Sequence, residues 1–197
     1  MRRANPELKD RRRTEILQAA KDCFTERGFH QTSMQVIAQK MGMSLGLLYR
    51  YFASKEAIIE AVAEMEHFEL RDAIASLRED GQIVDAWGSL IIEAVTELSQ
   101  PSTAKLIHEI EAEVSRNPHM LAKLQKNDEE VVAQVIAKLV SQQAALSLPP
   151  ELNPILAAQQ LMALLEGASS RQFLASNAAT FSLGDLVHTS IRQILRV

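Results

Sequence analysis

The chain is poor in the residues that usually announce a secreted, metal-held or membrane protein. Its 197 residues hold one cysteine, one tryptophan, two tyrosines and seven glycines. With Cys23 alone, no disulfide closes within the chain and no cysteine metal cluster forms. A single free cysteine reads as a small buried residue in a reducing, cytoplasmic setting. Apolar runs of membrane-spanning length are absent, so no membrane segment is expected. Arg2 and Arg3 are followed by no apolar stretch, which reads against a signal peptide. There is no Ser/His/Asp or Cys/His signature, no phosphate-binding glycine loop and no zinc spacing, which argues against an enzyme. No cofactor is expected. Glu64 and His67 repeat the i, i+3 spacing of some metal sites, but one pair is not a site, and no metal is expected.

What is present is apolar material and an uneven charge. Hydrophobic residues make up 47% of the chain, enough for a sizeable core. The net charge is -4, yet residues 1–55 hold 11 Lys/Arg against 5 Asp/Glu, a net of +6. Residues 56–197 hold 10 against 20, a net of -10. A basic head on an acidic body suits a protein that meets phosphate with one end. Chance clustering of solvated charges would give the same sums.

Strand alternation is scarce, and Gly and Pro fall between helical patterns, so the chain reads as all-α. Residues 1–8 read as an arm. Helices are predicted over 9–27, 33–41, 45–51, from after Ser54 to Leu77, and over 83–99, 102–115, 119–145, 154–176 and 182–196. Gly28, Asp80-Gly81, Pro101, Asn117-Pro118 and Pro149-Pro150 punctuate them. That is nine helices with no fixed repeat. No flexible linker separates head from body, so the boundary is placed in the long helix, giving a head of residues 1–55 and a body of residues 56–197.

The informative stretch is residues 32–56, TSMQVIAQKMGMSLGLLYRYFASKE. Thr32 and Gln35 have capping-box spacing. Met34, Ile37, Ala38 and Met41 follow at helical spacing, and Gly42 permits a tight turn. Ser44 can cap the next helix, whose Leu48 and Phe52 face the core. Leu45, Gly46, Tyr49 and Arg50 are left on or near the exposed face. Gly46 allows close approach to a groove. Tyr49, with Tyr51 beside it, offers an aromatic body and a hydroxyl. Arg50 can pair with phosphate or bidentately with guanine. Lys55 sits at a helix start, where N–H groups favour phosphate; Thr32 and Ser44 start two others. Arg2, Arg3, Lys9 and the run Arg11 to Arg13 can reach neighbouring phosphates. The alternative is an ordinary helical hairpin with half-buried tyrosines and a solvated basic run.

These residues resemble the N-terminal domain of TetR-type transcriptional regulators. The matching elements are Thr32-Ser33, Ile37-Ala38, Gly42-Met43-Ser44, Gly46-Leu47-Leu48-Tyr49-Arg50-Tyr51-Phe52 and Ser54-Lys55-Glu56. Met43 stands where the family usually has valine. The resemblance covers about residues 11–60, and the chain length and nine-helix pattern agree with it. A second stretch, EIEAEVSRNP over 109–118, resembles a segment of some subgroups without naming a ligand.

The resemblance implies a homodimer on a palindromic double-stranded DNA operator. The two 45–51 helices would then sit about one DNA turn apart, roughly 34–36 Å, or at a larger spacing that the dimer sets. It further implies repression, relieved when a small molecule binds the C-terminal part. The dimer face would be helices 154–176 and 182–196. The ligand site is the least legible part. Trp87, Ile91, His108, Glu111 and Phe173 could line a pocket with apolar walls and a few polar groups; core packing for Trp87 and Phe173, and a solvated or locally paired face for His108 with Glu111, are the commoner explanations. Two rival readings remain: a helical small-molecule-binding protein or enzyme without operator binding, and an architectural DNA binder without a ligand.

Overall fold

The computed structural model describes residues 6–78, 82–174 and 182–197. Among these lie nine helices and no strand: α1 (Pro6–Arg27), α2 (Met34–Lys40), α3 (Leu45–Tyr49), α4 (Lys55–Ala75), α5 (Ile83–Leu98), α6 (Pro101–Val114), α7 (Pro118–Ala144), α8 (Pro154–Leu174) and α9 (Leu183–Leu195). The expected arm of residues 1–8 is helical from Pro6 onward. Arg2, Arg3, the Asp80-Gly81 break and positions 175–176 lie outside the described residues.

Local chemistry explains the starts. Side-chain oxygens of Ser33, Ser44, Ser54, Asn117, Asn153 and Ser182 each accept from the backbone N–H three residues on. Such a cap contributes about 1 kcal/mol. Pro101, Pro118 and Pro154 are first residues of helices rather than stops outside them. At that position the missing N–H costs nothing and the fixed φ is already helical.

Packing divides the chain into two compact units: residues 1–66 with 105–125, and 67–104 with 126–197. The division differs from a cut after residue 55, because α4, α6 and α7 each contribute to both units. The reason is visible in the first unit's core. Ile16, Ala20, Cys23 and Phe24 of α1 form the face that their spacing predicts, and they pack with Ile37, Leu48, Phe52 and Ile58. Leu106 and Met120 close that core, and neither belongs to the first 55 residues.

In the second unit, Ile83, Trp87, Ile91 and Val95 make one buried stripe of α5. It packs against α8 and α9, with Val131, Val135 and Leu139 of α7 in the same core. Two polar side chains of α7 are buried there. The Gln142 amide nitrogen donates to the Arg78 carbonyl (3.0 Å), and its oxygen accepts from Trp87 Nε1 (3.1 Å). Lys138 Nζ donates to the Ala75 carbonyl (3.3 Å). Ala75 is the last residue of α4, where the helix has no partner of its own for the carbonyl, and Arg78 lies three residues beyond it. On α8 and α9, Ile155, Leu156 and Leu186 remain exposed.

Candidate nucleic-acid interface

α2 and α3 pack against each other across a short turn. Gly42 takes φ +60°, and Met43 N–H returns to the Ala38 carbonyl at 3.0 Å. Leu48 and Phe52 point inward and are almost completely buried. α3 is thereby fixed in rotation, and Gly46, Leu47, Tyr49 and Arg50 face outward.

The open face is chemically distinctive. Tyr49 is 50% exposed and Leu47 37%. Arg50 is exposed and makes no ion pair among the described residues. A Cβ added at Gly46 would meet nothing within 4 Å, so nothing inside the chain demands glycine there. Ser44 is exposed; its Oγ accepts from Leu47 N–H (3.2 Å), and its own proton is left to donate outward. Leu47 escaped sequence reasoning because it stands beside the buried Leu48, and a leucine beside a leucine reads as core. Ser33 was missed because Thr32 precedes it.

Four expected contact residues sit differently. Thr32 is 1% exposed. Its hydroxyl donates to the Gly28 carbonyl at 2.9 Å, with the Cys23 carbonyl at 3.1 Å, so it is turned inward and does not cap α2. The cap is Ser33, accepting from Val36 N–H. Leu45 and Tyr51 are half-buried against the first unit's core rather than open to the surface. Lys55 is half-buried too; its Nζ donates to the Phe29 carbonyl (2.8 Å) and lies 4.2 Å from the Phe29 ring centroid.

The basic run is also largely engaged. Arg11 and Arg12 both reach Glu15, at 3.3 and 2.8 Å. The Arg12 hydrogen bond holds the Glu15 carboxyl below its usual range. Arg13 stacks over Phe52 at 4.3 Å. Lys40 bridges Glu26 (3.0 Å) and Asp22 (3.5 Å), and the hydrogen bond to Glu26 holds its ammonium above the usual lysine range.

The residues expected to line a ligand site fall in both units. His108 and Glu111 pair with each other at 3.1 Å on an exposed face of α6, in the first unit. Trp87, Ile91 and Phe173 belong to the second unit. Phe173 is partly exposed near the end of α8. Trp87 and Ile91 do share an apolar cavity, with Leu70, Leu90, Leu161 and Met162 among its walls, but its volume is only about 20 Å³. A larger open groove of about 580 Å³ runs past Asp85, Ser147 and Arg192.

Comparison with known proteins agrees with this geometry. Residues 16–62 match the family model described as bacterial regulatory proteins, tetR family. The chain is 31% identical over 157 residues to the HTH-type transcriptional regulator UidR of Escherichia coli, covering 79% of this chain and 78% of that protein. The solved structure of Salmonella enterica GusR superposes with a TM-score of 0.77 at 30% identity, over 100% of both chains. A TetR transcription regulator from Haloarcula marismortui shares the fold, with a TM-score of 0.74 at 16% identity over 95% of this chain and 97% of that one.

Proposed function

The chain belongs to the tetR family of bacterial regulatory proteins, and from that premise we propose that it is a homodimeric repressor released by a small molecule. It is a DNA-binding transcriptional regulator. The proposal adds a palindromic operator, read by α3 of each subunit in the major groove, and a regulatory role rather than an enzymatic one.

One observation carries the reading: the open face of α3. Among the described residues, internal packing accounts for Leu48 and Phe52 but not for an outward Tyr49, an Arg50 without an ion pair or a glycine at 46. A glycine lets a helix approach a groove, and an arginine reads guanine or phosphate. The contact set we propose is Ser44, Gly46, Leu47, Tyr49 and Arg50. Lys55 is the first residue of α4, behind its Ser54 cap, and its remaining ammonium protons are available to phosphate. In functional terms, residues 1–55 serve DNA and 56–197 serve ligand and dimer, although packing cuts elsewhere.

Dimerisation through α8 and α9 is supported by the exposed Ile155, Leu156 and Leu186. For the ligand, the cavity at Trp87 and Ile91 is far smaller than the roughly 300–1,000 Å³ of ordinary ligand sites. Binding there requires an opened second-unit core, which supplies the two states that a ligand-released repressor needs. No helix among the described residues is long and apolar enough to cross a membrane. We assign the regulator to the cytoplasm, where its DNA lies.

The test is selection of bound fragments from the source genome, followed by sequencing. The expected result is a palindromic site, with Tyr49→Ala and Arg50→Ala each weakening binding and leaving the fold intact. No enriched fragment, or wild-type affinity in both variants, overturns the reading.

A further inference from the structure

The stretch beginning at Glu109 was singled out in the sequence but is not used by the open face of α3. Its structure gives it a task within the first unit. Phe29 N–H donates to Glu109 Oε2 at 2.5 Å, across 80 residues of sequence. The carbonyl of the same residue accepts from Lys55. One residue of the turn between α1 and α2 is therefore held on both polar sides, by an anion from α6 and a cation from α4. Its ring is buried, against Phe24 at 5.5 Å and beneath the Lys55 ammonium.

The neighbouring glycine is shaped for this clasp. Gly28 ends α1 with φ +85°, and a Cβ there would lie 2.7 Å from a Glu109 carboxylate oxygen. A side chain at position 28 would thus displace the carboxylate. The rest of the stretch anchors Glu109. Ile110 and Val114 pack on the first unit's core, Asn117 caps α7, and Met120 is buried beyond it. Three residues past Phe29, Thr32 closes the turn onto α1, and Ser33 begins α2. The direction in which α2 leaves α1 is set by these contacts, and α3 packs on α2.

We propose that Glu109 is a positioning residue for DNA reading. Through the Phe29 amide it fixes the α1–α2 turn, and so the angle at which α2 and α3 are presented. It is an acid with no place on the reading face. If it acted only through its charge, removing it would strengthen binding to phosphate. Positioning predicts the opposite sign for a specific site. Because Glu109 arrives on α6, a displacement of that helix withdraws the acceptor from Phe29 N–H.

The experiment uses the full-length protein, with Glu109→Ala and Glu109→Gln. Hydrogen exchange is followed at the Phe29 amide. Affinity is measured for a duplex selected by the wild-type protein from a random library and for an unrelated duplex. This rests on the DNA-binding reading above. In Glu109→Ala, Phe29 loses protection and affinity for the selected duplex falls roughly ten- to a hundredfold, the range expected for a lost charge-assisted hydrogen bond. Affinity for the unrelated duplex is unchanged or higher. Glu109→Gln keeps an acceptor oxygen and holds both readouts within about threefold of wild type. Wild-type binding or retained Phe29 protection in Glu109→Ala overturns the proposal. So does an equal loss on both duplexes that tracks the unfolded fraction, which marks a merely structural role. If the wild-type protein enriches no duplex, the DNA-binding reading fails instead, and the Phe29 exchange still decides whether the clasp exists.

Discussion

Around α3, in the first unit, the side chains that packing leaves open include Leu47, Tyr49 and Arg50; on α8 and α9, in the second, they include Ile155, Leu156 and Leu186. The first group joins an aromatic hydroxyl and an unpaired cation beside a glycine that the chain does not need. The second is purely apolar. A charged, hydrogen-bonding face suits a polyanion, and an apolar face suits another protein surface. The interiors differ as well. The first unit is tied by side-chain grips on backbone groups at Phe29, Gly28 and Tyr51. The second is tied in the same way by Lys138 and Gln142 on the Ala75 and Arg78 carbonyls, but it also has a small apolar cavity beside Trp87.

The comparison breaks if the units do not respond separately. The largest expected effect is from Leu48→Ala, which removes a fully buried side chain from the first core. It should cost about 2–5 kcal/mol and abolish DNA binding, as read by calorimetry and by operator titration. Trp87→Phe tests the second unit in the same way. It leaves the buried Gln142 oxygen without its donor, at a cost of about 1–3 kcal/mol. If both variants shift one shared transition equally, the units are not energetically distinct.

Surface variants sharpen the contrast further. Arg50→Ala should lower operator affinity by about 1–3 kcal/mol with an unchanged melting temperature. Gly46→Ala should raise stability by about 0.4–1 kcal/mol, since its Cβ meets open space, while weakening operator binding. A variant that gains stability and keeps full affinity would show that Gly46 does not approach DNA. The smallest effect concerns pH. The Glu15 carboxyl is held below its usual range, chiefly by the Arg12 hydrogen bond. Its contribution is present above the ordinary carboxylate value and is lost as pH falls through the lowered one. Glu15→Gln should therefore flatten the acid limb of the stability curve slightly and leave neutral pH nearly untouched; an unchanged limb would count against the pair.

Most of the fold was readable because its punctuation is local. Caps at Ser44 and Ser54 and Gly28 past α1 need only near neighbours to act, whereas Pro101 and Pro118, expected outside the helices, are their first residues. The inward pair Leu48 and Phe52 was readable from spacing alone. What escaped depends on residues distant in sequence. Whether Thr32 or Ser33 caps α2 is decided by carbonyls at Cys23 and Gly28, which claim the threonine. Lys55 looks free at a helix start until the Phe29 carbonyl is placed beside it. The spacing of His108 and Glu111 correctly implies a pair but does not say that it faces solvent. The grip of Glu109 on Phe29 has no local signal at all.

The buried indole has an optical consequence. Trp87 is the only tryptophan in the chain, and both tyrosines, Tyr49 and Tyr51, fall in the DNA-reading segment. Light absorbed at the red edge of the aromatic band is therefore emitted from the core of the second unit alone. That emission comes from a dry site with the ring N–H bonded to Gln142. A compound that bound beside the ring would change its colour and yield. DNA meeting Tyr49 registers in the shorter-wavelength tyrosine band instead. The chain carries two natural dyes on two channels, so signal and grip can be followed in one unlabelled sample.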